Sequence, residues 1–244
     1  MLRVLDLFSC VGCHAIGMHR AGHQTIQFVE FNPARRQVLA AQFPETPIHD
    51  DVRTFDGSSV RADIAFGGPP CQQTSVASAI HGYRSGESLW PEMLRIVEEG
   101  DVPWVVVEQP TGNAEWEAQV AHDLVDTGRH VARFEFEARD IGAPYERRRV
   151  FILACTSLQG LEIAWKAGPS AIDRVKRSAD ARGAWDAGKL GTLRVDARSA
   201  GEMDRGRSKG RVERIEALGD SNPPGMAEVI GLMIRDAVEM QEAA

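Results

Sequence analysis

The chain has no run of about 18 apolar residues, so it offers no membrane-spanning helix. It also lacks a signal-peptide pattern. The opening "MLRVLDLF" is short, soon acidic and reads as a first strand. A cytoplasmic protein without a membrane partner is the expectation. Cysteine is scarce, with only Cys10, Cys13, Cys71 and Cys155. Cys10 and Cys13 have C-x-x-C spacing, but a zinc site needs partner ligands at similar spacing, and the other two stand far apart and singly. Neither a metal nor, in an intracellular setting, a disulfide is expected. No internal repeat is visible. Basic residues are fewer than acidic ones, 28 against 35, and the net charge of −7 argues mildly against a polyanionic partner. The shortage is not uniform. Lys166 to Arg214 carries thirteen basic and seven acidic residues, a local charge of +6 on an otherwise acidic chain. That asymmetry suits either a polyanion on one face or a solvated charged loop.

What is present is alternation. "RVLDLF", "TIQFVEF", "PIHDDV", "ADIAFGG" and "PWVVVEQ" read as strands separated by helical patterns, including "NPARRQVLAAQF" with Asn32 as N-cap and Pro33 at the first turn. "HVARFEFEA" and "RRVFILACT" read as a late antiparallel pair. The fold class is therefore α/β: a doubly wound, mostly parallel Rossmann-like sheet with an antiparallel edge strand. From 157 to about 214 periodicity fades and Gly, Arg, Asp and Ser dominate, which reads as an irregular region. Order returns in an amphipathic helix carrying Met226, Val229, Ile230, Met233, Ile234 and Val238. The expected organisation is a catalytic domain over 1–156, a small recognition region over 157–210, and a C-terminal segment, 211–244, returning to the first domain.

Chemistry concentrates where strands end. The small-residue turn "FSCVG" after the first strand lets a ligand approach the backbone. Glu30, ending the second strand about twenty positions later, is placed to hold a ribose diol. Together they point to an adenosine-containing cofactor. "GGPPC" forces a turn at a strand end and puts Cys71 at the mouth of the sheet, as a buried inert thiol or an activated nucleophile. In "VVVEQP", Glu108 follows an apolar strand at the same edge. In "APYERRRVF", alternation points Arg147 and Arg149 the same way.

These blocks, in this order, resemble the DNA (cytosine-5) methyltransferases: "DLFSCVGCHAIGMHRAG", "FVEFNP", "DDV", "GGPPCQQTS", "VVVEQPTGN", "APYERRRVFIL" and "RIEALGDSNPPGMAEVIG". The resemblance covers about 1–155 and 211–240 and suggests a small phage- or prokaryote-like member with a reduced recognition region, in a bacterial or phage-infected cell. It implies Cys71, Glu108, Arg147 and Arg149 as catalytic residues. It implies S-adenosylmethionine as cofactor, yielding S-adenosylhomocysteine, held by Phe8, Ser9, Cys10, Val11, Gly12, Glu30, Phe31, Asp51, Val52, Gly68, Pro69, Asp220 and Ser221. Double-stranded DNA is the implied partner, contacted by Gln72, Ser75, Arg84, Lys176, Arg177, Arg205, Arg207 and Lys209. The implied enzyme works as a monomer and needs no metal.

The chain departs from the family pattern at several points. Cys10 and Cys13 stand where glycines are usual, and Gln109-Pro110 stands for Asn-Val. Tyr145 replaces a glutamine, Asp220 an asparagine and Asn222 a valine. An altered donor, an RNA substrate, or an inactive DNA-binding relative are the alternatives kept. A recognition region this short holds few base contacts, so the target is expected to be short, roughly two to four base pairs. Bisulfite sequencing of DNA modified in vitro checks this, and a site of six or more specified bases would refute it.

Overall fold

The computed structural model describes residues 1–70, 88–184 and 222–243. Seven strands form one sheet: β1 (Arg3–Leu7), β2 (Gln24–Val29), β3 (Ile48–His49), β4 (Ile64–Gly67), β5 (Trp104–Pro110), β6 (His130–Glu137) and β7 (Arg148–Cys155). Their order is β3-β2-β1-β4-β5-β7-β6. The first five pair in parallel, while β7 runs antiparallel to both β5 and β6. This is the expected doubly wound sheet with an antiparallel edge. The strand order reverses between β2 and β4 around β1, and such a switch point opens a crevice at the carboxyl ends of the strands.

Side-chain alternation divides the core. Val4, Phe66, Val106 and Phe151 face one side and pack with Met226, Ile230 and Met233. Leu5, Leu7, Val105 and Val107 face the other and pack with Met93, Ile96 and Val120. The first face is covered by α1 (Cys13–Arg20) and two late helices, the second by α3 (Trp90–Glu99) and α4 (Ala114–Asp126). Helix α2 (Pro33–Gln42) flanks β3, and the Asn32 side chain caps it by accepting from the backbone N–H groups of Ala34 and Arg35.

The region read as irregular from residue 157 is corrected in its first half. Leu158–Ala181 is a single helix, α5, whose N-terminus is capped by the Ser157 hydroxyl accepting from Gly160 N–H. It packs along α6 (Pro224–Glu242). Its buried positions are Gly160, Leu161, Ala164, Gly168, Ala171, Val175 and Ala179. Their spacing is helical, but five of the seven are Gly or Ala, and Pro169 interrupts the run. A stripe this weak in hydrophobicity hides in composition. The small residues serve close approach: a Cβ on Gly168 would lie 2.5 Å from the Phe134 ring.

Part of the basic excess is consumed here. Arg174 forms a two-pronged pair with Asp236, and Arg182 lies 3.7 Å from Glu228. Glu228 is buried on α6 and also faces Arg20 of α1 at 3.8 Å. Burial pushes its carboxyl up, and the two arginines oppose that. Lys176 and Arg177 remain on the exposed face of α5. No described helix is long and apolar enough to cross a membrane.

Helices α1 and α6 meet at Gly17, where a Cβ would fall 2.2 Å from the Pro224 carbonyl oxygen and 2.7 Å from Glu228 N. Backbone cannot yield as a flexible side chain can. Gly17→Ala is expected to lower unfolding free energy by about 1–3 kcal/mol, the usual range for overpacking. A urea midpoint equal to that of the parent chain would contradict this seating of α6.

Candidate active site

One registered row of residues builds the site. Val29, Leu7, Gly67 and Val107 lie side by side across β2, β1, β4 and β5. The residue after each is Glu30, Phe8, Gly68 and Glu108. The site residues separated in sequence by up to 100 positions thus emerge together at one sheet edge. Strand β3 adds to the row through His49 opposite Val29, and Asp51 follows two residues on.

Glu108 is 7% exposed, and its Oε1 lies 2.7 Å from Arg149 Nε. A carboxylate buried this far requires a counter-charge, and this arginine supplies it. The antiparallel register places Arg149 opposite Pro110, two residues along from Glu108. Arg147 points to the same side, donating from Nε to Asn222 Oδ1 at 3.4 Å. Arg148 points away, to Glu135 and Glu137 of β6. The expected alternation of the three arginines is present.

Two contacts tie the Gly67–Pro70 turn to β5. Gln109 Nε2 donates to the Pro69 carbonyl at 2.5 Å, and a Cβ on Gly68 would fall 2.9 Å from Glu108 Oε2. Gly68 is therefore needed for Glu108 to occupy its place. Cys71 itself lies outside the described residues, as do Gln72, Ser75, Arg84, Arg205, Arg207, Lys209, Asp220 and Ser221.

The first turn is wound tightly. Phe8, Cys10 and Gly12 all have left-handed backbone, with φ of 56°, 51° and 84°. For Phe8 and Cys10 this costs roughly 1–3 kcal/mol each, a price met at ligand sites. The turn is held from below: Ser9 Oγ donates to the Asp6 carbonyl at 2.6 Å. Val11 is half-buried, and Gly12 begins α1.

Glu30 is 6% exposed and accepts from Cys10 N–H and Asn32 N–H, both at 2.8 Å. Burial pushes its carboxyl up, and the two backbone donors oppose that. Each oxygen keeps a second lone pair for a hydroxyl. Beyond it Phe31 is 67% exposed. Arg53 stands over its ring at 5.5 Å and also pairs with Asp51 at 2.7 Å, holding the Asp51 carboxyl below the ordinary carboxylate range. Val52 is buried, its carbonyl accepting from Arg95. A strained small turn, a buried carboxyl with unused lone pairs and an exposed aromatic residue are chemically suited to an adenosine-containing cofactor.

Phe8, Ser9, Cys10, Cys13, His14, Gly68, Glu108 and Asn222 line a small open cavity of about 30 Å³. Three polar groups around it were not singled out by sequence reasoning as site residues: Asp6, His14 and Asn222. Asp6 is fully buried, and His14 Nδ1 lies 3.4 Å from its Oδ1 without hydrogen-bond alignment. The imidazole stacks on Phe66 at 4.2 Å. The one signal for this pair was a carboxylate at an inward strand position. Asn222 was visible only as a replacement for a customary valine.

The profile of the C-5 cytosine-specific DNA methylases matches residues 2–177. The chain belongs to this family. Among its relatives, Type II methyltransferase M2.BsuMI of Bacillus subtilis is 30% identical over 165 residues, covering 63% of this chain and 42% of that protein. Type II methyltransferase M.AquIA of Picosynechococcus is 29% identical over 175 residues, covering 62% and 71%. DNMT2 of Spodoptera frugiperda shares the fold, with a TM-score of 0.55 at 19% identity, covering 65% of this chain and 51% of that one. The chain thus spans less than half of the first relative. The profile ends inside α5, consistent with α5 being part of the methylase body.

For His14, burial works against the imidazolium, but the contact and charge of Asp6 outweigh it and raise its pKa above the ordinary 6.5. Burial pushes Asp6 up as well. A raised histidine contributes stability that is complete below about 6.5 and is lost as pH rises through the folded-state value. Urea unfolding at a series of pH values should therefore show stability falling above pH 6.5. His14→Gln should be less stable and should flatten that fall; an unchanged slope would remove His14 as its source.

Proposed function

We propose that this chain methylates C5 of cytosine in double-stranded DNA, with S-adenosylmethionine as donor and a base turned out of the duplex. The observation that carries the reading is the convergence on one sheet edge of Glu108, Arg149, the Gly67–Pro70 turn leading to Cys71, and the Phe8–Gly12 turn held against the buried Glu30 carboxyl. A paired base hides C6 from attack, so the target must leave the stack. The Cys71 thiolate bonds to C6, the C5=C6 pair becomes a C4=C5 bond that makes C5 nucleophilic, and the C4=N3 pair moves onto N3. Glu108 supplies the hydrogen bond or proton that N3 then requires, and Arg149 keeps that carboxyl in place. S-adenosylmethionine, when bound, supplies the methyl electrophile for C5. Loss of the C5 proton to solvent and rupture of the C6–S bond restore the ring and free Cys71. Phe8 and the backbone of Ser9–Gly12 would line the donor site, Glu30 would hold the ribose, and Phe31, Asp51 and Val52 would meet the adenine. Asp220 and Ser221 would close the donor site from the C-terminal segment.

Lys176 and Arg177 on α5, with the basic residues between 189 and 214, would contact phosphates and bases as a monomer tracks the duplex. No observation favours RNA, another donor or an inactive binding role over this reading.

Duplex DNA containing 5-fluorocytosine should trap a stable protein adduct that needs both Cys71 and S-adenosylmethionine, because fluorine at C5 cannot leave as a proton does. Cys71→Ser should abolish adduct and turnover while DNA binding persists. Glu108→Gln should reduce kcat by about 10²–10⁴-fold, as expected for loss of a general acid. Methylation by Cys71→Ser at the parent rate, or activity on tRNA but not on duplex DNA, would overturn the proposal.

A further inference from the structure

Asn222 is 2% exposed and lines the cavity shared by Phe8–Cys10 and Glu108. Its Oδ1 accepts from Arg147 Nε at 3.4 Å. Its Nδ2 is buried and has no hydrogen-bond partner among the described residues. Leaving such a donor unpaired is costly, and folded proteins seldom do so without a reason. A valine, customary at this position, would place no such demand. The amide is thus held at one end by an arginine, and its other end has no partner among the described residues. Arg147 also settles the orientation of the amide. Guanidinium only donates, so the carbonyl oxygen of Asn222 turns toward Arg147 and the NH2 is left for the remaining space.

We propose that Asn222 is a ligand-contacting residue whose Nδ2 donates to an oxygen acceptor on the group bound in this cavity. This rests on the methyltransferase reading above. A cavity bounded on one side by the donor turn and on the other by Glu108 admits two sources of that oxygen. One is the carboxylate at the amino-acid end of the donor; the other is the ring carbonyl of the cytosine. In either case the contact adds a polar element to the recognition of that group. It also links that element through Arg147 to the strand that carries Arg149.

The test uses the full chain and two substitutions. Asn222→Val removes the donor together with its unmet demand. Asn222→Asp keeps an acceptor for Arg147 and replaces the donor with a second carboxylate oxygen and a negative charge. Binding of S-adenosylhomocysteine is read by calorimetry, and binding of a duplex carrying the site mapped by sequencing is read by fluorescence anisotropy. Asn222→Val is expected to melt at or above the parent temperature without ligand, yet to bind one of the two probes about tenfold more weakly. Asn222→Asp should weaken the same probe at least as much. Loss on S-adenosylhomocysteine assigns the oxygen to the donor carboxylate, and loss on the duplex assigns it to the base. Parent-like affinity for both probes in both variants would overturn the proposal. So would a lower melting temperature for Asn222→Val with unchanged affinities, which marks a purely structural amide. Failure of the parent chain itself to bind S-adenosylhomocysteine would defeat the methyltransferase reading and this inference together, and is distinct from a loss confined to the variants.

Discussion

Backbone pairing among β2, β1, β4 and β5 fixes where every group at the sheet edge can be. The strands run parallel and in step, so Val29, Leu7, Gly67 and Val107 form one row. A strand slipped by a single residue would turn its side chains to the opposite face. Glu108 would then lose Arg149, and Glu30 would lose the Cys10 amide. The close packing of Gly68 against Glu108 and the Gln109 bond to Pro69 add a finer constraint, since they join the acid-bearing strand to the turn that leads to Cys71. The relative placement of carboxyl, turn and first loop is thus inherited from sheet geometry.

The antiparallel β7 has a distinct role. Parallel strands deliver only residues that follow their carboxyl ends. A strand entering from that edge delivers residues at its beginning, and this is how Arg147 and Arg149 reach the same place as Glu108. The reversed strand β7, seated between β5 and β6, is therefore part of how the site is assembled.

Much of this was legible in the sequence because the physical signals were strong. Val-Val-Val before Glu108, Ile-Ala-Phe before Gly67 and Val-Leu-Asp-Leu before Phe8 are buried-strand patterns, and the chemistry-bearing residues sit where they stop. Helix α5 was not legible. Its buried stripe of alanine and glycine carries little hydrophobic contrast, and its charged outer face looked like a solvated loop. The Asp6–His14 pair was also missed, since a carboxylate inside a strand and a histidine on a helix do not reveal from sequence that they face each other. Asn222 stood out only against the family pattern. Its unmet amide could be recognised only once the surrounding atoms were in place.

Arg182 near the end of α5 and Glu228 near the start of α6 lie within 3.7 Å, and the two helices pack along one another behind them. The two helices that flank the interval 185–221 in sequence are therefore held together by their own contacts. Bringing chain ends together ordinarily carries an entropic penalty that grows only slowly with the length between them. Here helix packing holds those ends whatever lies between. Sequences of different length and composition could occupy this interval with little effect on the stability of the body. The packing of α5 on α6 is in this sense independent of the interval's length.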